Sequence, residues 1–270
     1  MRSLIEIAKL EEWRNAVGTS EVAAEHLRIA GGIASRGEAK TWVNTAISLG
    51  MSGAVTASDI EHVIAWYSEQ GHVAHVEVCP YADASLITAL VRSGFHIKRF
   101  ENVFFRELAR GERVELLREL PREIEIRSVD AEDGDRVCEI ARVIAQGFAR
   151  AGEAAREADV RVFEKCARDR LTKTYAAYSG EVCVGGGSVE VRGEIAALYG
   201  LAVDARFRGR GIQQALMAVR MNAACEAGAN LVTIGGPPGM GTERTARRYG
   251  FQVAYTKAMM VKKYTSKKHT

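Results

Sequence analysis

The stretch "RFRGRG", Arg206 to Gly211, places three arginines and two glycines in six residues, and "IQQALMAVR" follows with apolar residues at helical spacing. Such clustering is costly, because glycine gives up the most backbone entropy on folding and like charges repel. A bound anion would offset both costs. Successive N–H groups in a glycine-rich turn can converge on one anion, and glycine lets a phosphate approach the main chain. The helix that follows adds unpaired N–H groups and a partial positive charge, and arginine adds charge-assisted hydrogen bonds. The chemistry is that of a pyrophosphate cradle. A solvated arginine-rich turn and a nucleic-acid patch use the same residue types, and the GxG pair alone does not separate the three. Two phosphate motifs are excluded: Gln214 stands where a dinucleotide fingerprint needs its third glycine, and no GK[ST] follows.

The elements around the loop are legible from pattern. "EIEIRSV" reads as a strand, and Asp130 as the cap of a helix carrying Val137, Ile140, Ile144 and Phe148 on one face. A second helix is expected over about Arg156 to Leu171. "TYAAYSGEVCVGGGSVEVRGEIAALYGLAV" reads as three strands with turns at Ser179-Gly180 and Arg192-Gly193. The arginine-glycine loop then joins a strand ending near Val203 to a helix starting near Gly209. That helix presents Ile212, Ala215, Leu216, Val219 and Ala223 on one face.

The chain also repeats itself. "HVEVCPYADASLITALVRSGFHIKRFENVFFREL" and "NLVTIGGPPGMGTERTARRYGFQVAYTKAMMVKK" each read as a short strand, a proline-marked loop, a helix, Gly-Phe and two further strands. Gly94-Phe95 and Gly250-Phe251 each follow an arginine two residues before the glycine, which points to a duplication of domain size. Pro121, in a charge-dense segment, places a boundary at about Glu119 to Arg122, dividing the chain into 1–120 and 121–270.

Of the 270 residues, 47% are hydrophobic and 26% charged, which allows a substantial core and excludes a disordered chain. A formal net charge of +3 is too small to argue for nucleic acid. No run long enough to span a membrane occurs, and Glu6, Lys9, Glu11 and Glu12 interrupt any signal-peptide core. The five cysteines, none in a CxxC pair, read as reduced thiols of a cytoplasmic protein. His72 and His75 lack a third ligand at zinc-like spacing, so no metal is expected. The basic C-terminal "KKYTSKKHT" reads as a solvated tail.

Loop and element order together resemble the GNAT superfamily of N-acetyltransferases. Arg206-x-x-Gly209-x-Gly211, after "LYGLAV" and before "IQQALMAVR", is similar to that family's acetyl-CoA pyrophosphate loop, and "RRYGFQVAYTK" to its closing helix and strand pair. The resemblance covers about Glu123 to Lys263, and more narrowly is to bacterial two-domain members. It implies an α/β (α+β) fold, two tandem GNAT-like folds each with a mixed, mostly antiparallel sheet flanked by helices. It implies acetyl-CoA as cosubstrate and an amine acceptor, with no nucleic acid, no membrane, and a homodimer as an option. The backbone of Arg208, Gly209, Arg210, Gly211 and Ile212 would hold the pyrophosphate, with Arg206 opening the loop. Leu201, Ala202 and Val203 would bond the pantetheine arm. Gly235 and Gly236 would lie beside the thioester, and the helix from Thr242 would flank the cosubstrate.

The sequence departs from the family at the proton-handling positions. Ala246 stands where, in the family, a tyrosine often protonates the leaving thiolate, so that Tyr249 or Tyr255 substitutes, or nothing does. The family's base glutamate falls near Ala197, with Glu190, Glu194 and Tyr199 nearby. If Val203 faces the cosubstrate, strand alternation puts Tyr199 on the same face, with Glu190 as its cross-strand neighbour. Tyr199 and Glu190 are therefore the expected catalytic residues. The first half resembles the family only over about Thr41 to Leu108. Its "ISLGMSGAVTASDIEHV" has Gly50 and Gly53 but no arginine, and Ser58 or Asp59 reads as a plain helix cap, so no coenzyme is expected there. Trp42 is expected in the core, with a shared acceptor cleft as the other reading of Trp42 and Asn44. A non-catalytic acyl-CoA sensor or interaction protein is the competing class, and a nucleic-acid binder with steep salt dependence the third.

Overall fold

The structure, a computed structural model, describes residues 2–263. The basic tail beyond Lys263 lies outside the described residues. The first stretch of chain gives α1 (Leu4–Val22), β1 (Glu25–Ile29), β2 (Gly32–Arg36), β3 (Thr45–Ile47), α2 (Ala57–Ser68), β4 (His75–Val78), α3 (Ala84–Arg92) and β5 (Phe95–Glu107). The second gives β6 (Ile124–Val129), α4 (Gly134–Phe148), α5 (Glu157–Arg168), β7 (Thr172–Ser179), β8 (Val182–Arg192), β9 (Ile195–Val203), α6 (Ile212–Glu226), β10 (Leu231–Gly236), α7 (Gly241–Arg248) and β11 (Gln252–Lys262).

The order β-β-β-α-β-α-β thus occurs twice, from β1 to β5 and from β7 to β11. α3 and α7 both end at a left-handed glycine, Gly94 (φ 78°) and Gly250 (φ 80°), the usual helix stop. Beyond it the two further strands read from the sequence are one long strand in each copy, of 13 residues in β5 and 11 in β11.

Compact packing separates 104–252 from a unit made of 2–103 together with the described residues from Val253 on. These boundaries differ from the expected division at Glu119 to Arg122, for two reasons. The charged segment before Pro121 is strapped to α6: Asn222 Oδ1 accepts from Val114 N at 2.8 Å, and Gln214 Oε1 from Leu117 N at 2.7 Å. The last strand, β11, joins the first unit because its ladder partner is β4, antiparallel, with Ala258 opposite Val78.

In the first unit the sheet order is β1-β2-β3-β4-β11-β5. Strand alternation sends Ile33 and Ile47 to Ala16 of α1, and Ala34 and Ala46 to the core made by α2 and α3. Trp42 is exposed rather than in the core, while Thr41, Val43 and Asn44 beside it are buried, the Asn44 side chain bonded to Gly37 N, Glu38 O and Thr41 O. A polar cluster is buried here: Lys257 Nζ lies 2.5 Å from Glu77 Oε2, and Tyr255 donates to Glu12 Oε1 at 2.6 Å.

In the second unit the order is β10-β9-β8-β7-β6, antiparallel except for the parallel pair β9 and β10. α4 and α5 cover one face through Ile140, Ile144, Val160 and Phe163; α6 covers the other through Ile212 and Leu216. Val137, Ile140 and Ile144 are buried as their spacing predicts, whereas Phe148 is exposed and stacks on Phe163. The cap of α4 is Asp133, not Asp130, which instead closes the preceding turn by accepting from Glu132 N.

Candidate functional site

The arginine-glycine loop lies between β9 and α6, as its sequence position requires. A short 3-10 turn, Ala205–Phe207, comes first, capped by Asp204. Gly209 (φ 78°) and Gly211 (φ 89°) are both left-handed, a conformation that costs other residues about 1–2 kcal/mol. Gly211 is the N-cap of α6 and supplies no side-chain cap, so the first-turn N–H groups are left for a ligand or water. α6 therefore begins at Ile212, three residues later than the sequence suggests.

The three arginines splay apart. Arg206 turns back onto Asp204 (2.7 Å) and holds its carboxyl below the usual range. Arg208 bonds Val203 O at 3.2 Å, and Arg210 stacks on Phe207 with its centre 5.0 Å from the ring. A fourth arginine, which the sequence reading missed, supports the loop from behind: Arg118 Nη1 bonds Gly209 O at 3.1 Å. Its only sequence signal was membership of the charged segment before Pro121.

β9 departs from its neighbour where the loop begins to matter. Its parallel register with β10 ends at Leu198 opposite Ile234, while its pairing with β8 continues to Val203 opposite Gly185. Leu201, Ala202 and Val203 thus carry no ladder partner in β10. Where this stretch begins, Gly200 (φ 62°) and Leu201 together oppose Gly187, a β-bulge. An open cleft of about 780 Å³ runs from this end of β9 to the turn between α4 and α5. Gln146, Gly147, Arg150, Val203, Asp204 and Arg208 are among its walls.

The bulge corrects the expectation for Tyr199. A bulge shifts the alternation by one residue, so Tyr199 and Val203 lie on opposite faces. Val203 packs with Ile212 and Leu216 of α6, whereas the Tyr199 hydroxyl meets Thr172 Oγ1 at 3.0 Å. Directly across from Tyr199 is Ser188, while Glu190 faces Ala197. Glu190 is buried and ion-paired to Arg192. Burial pushes the Tyr199 phenol well above its ordinary pKa, so it is a neutral donor at physiological pH. Glu194 is exposed at the turn before β9.

The other tyrosines are engaged elsewhere. Ala246 is fully buried in α7, and the Tyr249 hydroxyl is tied to Gln214, 3.0 Å from its carbonyl and 2.9 Å from its Oε1. Tyr255 belongs to the first unit and bonds Glu12. Gly235 and Gly236 close β10, ahead of the turn to α7.

The equivalent place in the first unit is built differently. α2 begins with a reciprocal cap, Thr56 Oγ1 accepting from Asp59 N and Asp59 Oδ2 from Thr56 N. The cap is thus Thr56, with Asp59 three residues in, rather than Ser58 or Asp59 as cap. Two of the turn's donors, Thr56 N and Asp59 N, are met internally, and a carboxylate sits where a phosphate would approach. Among the described residues no cluster of three or more His, Cys, Asp or Glu could hold a metal ion, and no helix is long and apolar enough to cross a membrane.

Residues 135–251 match the model of the acetyltransferase (GNAT) family. No curated protein matches the sequence. Among solved structures, a GCN5-related N-acetyltransferase from Kribbella flavida is similar at 16% identity, covering 93% of this chain and 94% of its own, with a TM-score of 0.67. A tandem GNAT protein from the clavulanic acid biosynthesis pathway is similar at 15% identity, over 87% of this chain and 80% of that one, TM-score 0.59. A GCN5-related N-acetyltransferase from Sphaerobacter thermophilus shares 17% identity over 71% of this chain and 59% of that one, TM-score 0.53.

Proposed function

We propose that the chain, whose residues 135–251 match the GNAT acetyltransferase family model, transfers the acetyl group of acetyl-CoA to a primary amine on a small molecule. The observation that carries this reading is the start of α6: two left-handed glycines, no side-chain cap, and a strand beside it that has left its neighbour. The backbone N–H groups from Arg208 to Ile212 would hold the pyrophosphate. The free edge of Leu201, Ala202 and Val203 would bond the pantetheine arm, as an added strand does. Running back along β9 from the loop, that arm brings the thioester to the bulge.

Catalysis then rests mainly on positioning. The amine nitrogen attacks the thioester carbon, the C–S bond breaks with its electron pair going to sulfur, and the ammonium proton is lost to a base or to water. We assign proton handling to Glu190 and Tyr199, which project toward α4 and α5 rather than toward α6. The N-terminal unit is read as a degenerate copy without coenzyme. Thiol release from acetyl-CoA, followed across a panel of amines, tests the activity; no release above the solvent rate with any amine would overturn it.

One observation favours a second reading. With Ala246 buried and Tyr249 bonded to Gln214, α7 offers no tyrosine to the leaving thiolate. A non-catalytic acyl-CoA sensor would bind acetyl-CoA by calorimetry yet release no thiol with any amine.

A further inference from the structure

The largest fully buried side chain of the described residues is a cation. Arg220 projects from α6 with no exposed surface. A buried charge normally has an ionic partner, because an unpaired one carries a large desolvation cost. Among the described residues no carboxylate meets Arg220. Its Nε bonds Leu216 O at 2.9 Å, and its Nη1 bonds Ser188 O at 3.0 Å and Tyr199 O at 3.1 Å. Its Nη2 has no hydrogen-bond partner among the described residues. Burial pushes its pKa down to about 9, which leaves it charged at neutral pH.

The sheet is shaped to admit this group. A Cβ on Gly187 would lie 2.9 Å from Nη1 and 3.0 Å from Cζ, so the guanidinium occupies the space a side chain would take there. Gly187 is also the residue that faces the bulge, and the two carbonyls bound by Nη1 flank it, one on each strand. Immediately before the bulge, at Leu198, β9 parts from β10. The cation is therefore buried at the one point of the sheet where the proposed thioester arrives.

We propose that Arg220 is a positioning residue for acyl transfer: it clamps the β9 bulge through Ser188 O and Tyr199 O, and it sets a positive potential there that favours the departing thiolate of coenzyme A. The inference rests on the acetyl-CoA reading of the loop. It supplies what α7 lacks, stabilisation of sulfur without a proton donor. When the C–S bond breaks, the electron pair left on sulfur is held in this potential until the thiolate takes a proton from solvent. The titratable neighbour of Arg220 is the neutral Tyr199 phenol. Cys166 and Asp169, and Glu190 on β8, lie around that phenol.

The test needs no acceptor. The full-length protein is saturated with coenzyme A, and the bound thiol is titrated by its ultraviolet thiolate absorbance in wild type, Arg220→Lys and Arg220→Met. A positive charge about 4–6 Å away lowers an acid's pKa by about 1–3 units. The bound thiol in wild type should therefore titrate at least about one unit below free coenzyme A, a ~10-fold gain in thiolate at a given pH. Arg220→Met should abolish the shift, and Arg220→Lys, which keeps the charge, should retain most of it. If Arg220→Met fails to fold, the wild type and Arg220→Lys decide: a wild-type thiol titrating no lower than free coenzyme A overturns the proposal. Coenzyme A binding with an unshifted thiol defeats the role of Arg220 alone, whereas no binding by wild type in calorimetry defeats the loop reading with it.

Discussion

Replacing Gly209 by alanine separates a backbone requirement from a ligand requirement. A Cβ built at Gly209 meets nothing within 4 Å, so no clash explains any effect. What remains is the left-handed φ of 78°, which costs alanine about 1–2 kcal/mol. The loss of unfolded-state entropy returns about 0.4–1 kcal/mol, so the net fall in stability is on the order of 1 kcal/mol. Gly228 supplies the control. It has φ 90°, nothing within 4 Å, and a place after the far end of α6. Gly228→Ala should cost the same stability for the same reason. Only Gly209→Ala should also weaken coenzyme A, because only there does a methyl group stand between the main chain and a phosphate. A strained or shifted loop worth about 1.4 kcal/mol weakens binding ~10-fold, and Gly209→Val, bulkier and β-branched, should weaken it further. Thermal melts and calorimetric titration with coenzyme A measure both quantities. If Gly209→Ala binds with wild-type affinity, or if Gly228→Ala weakens binding equally, the loop is not the phosphate site.

Titration should show one coenzyme A per chain, since α2 begins with the Thr56–Asp59 cap where α6 begins uncapped; a stoichiometry near two would contradict this. Tyr199→Phe and Glu190→Gln should lower turnover ~100-fold or more with coenzyme A affinity intact, if each handles a proton in the transition state. Wild-type turnover of both variants from about pH 6 to about pH 9 would remove the assignment. Burial raises the Glu12 carboxyl from 4.5 to about 7, so its proton stabilises the fold fully below about 4.5 and that contribution is lost as pH rises through about 7. Urea melts should therefore show Glu12→Gln gaining on wild type between about pH 5 and about pH 8; equal pH slopes would refute it.

Much of the second half was legible because its signals are local. The turns at Ser179-Gly180 and Arg192-Gly193, the apolar face of α4 and the phosphate-suited loop each depend on residues within a few positions of one another. The duplicated Gly-Phe pairs likewise mark two real helix ends, since a left-handed C-terminal residue calls for glycine wherever it occurs. From such signals alone, the order of elements and the place of the loop followed.

What escaped depends on partners distant in sequence. Strand alternation put Tyr199 with Val203, but a bulge arises from the register of two strands, and Gly200 reads as an ordinary strand glycine until β8 is laid beside β9. β11 follows the second half in sequence, yet ladder hydrogen bonds to β4 put it in the first unit. Trp42 looked like core by residue type, and burial is a property of the packed chain. Arg118 lies in the charge-dense segment before Pro121, and no local signal singles out Arg220 within α6. Only the packing of α6 on β8 and β9, with Gly187 leaving room, turned that arginine inward. Sequence by itself determined which residues could bind a pyrophosphate and in what order the elements come. The tertiary structure decided which side chains share a face of β9, because facing is set by register and packing between segments far apart in the chain.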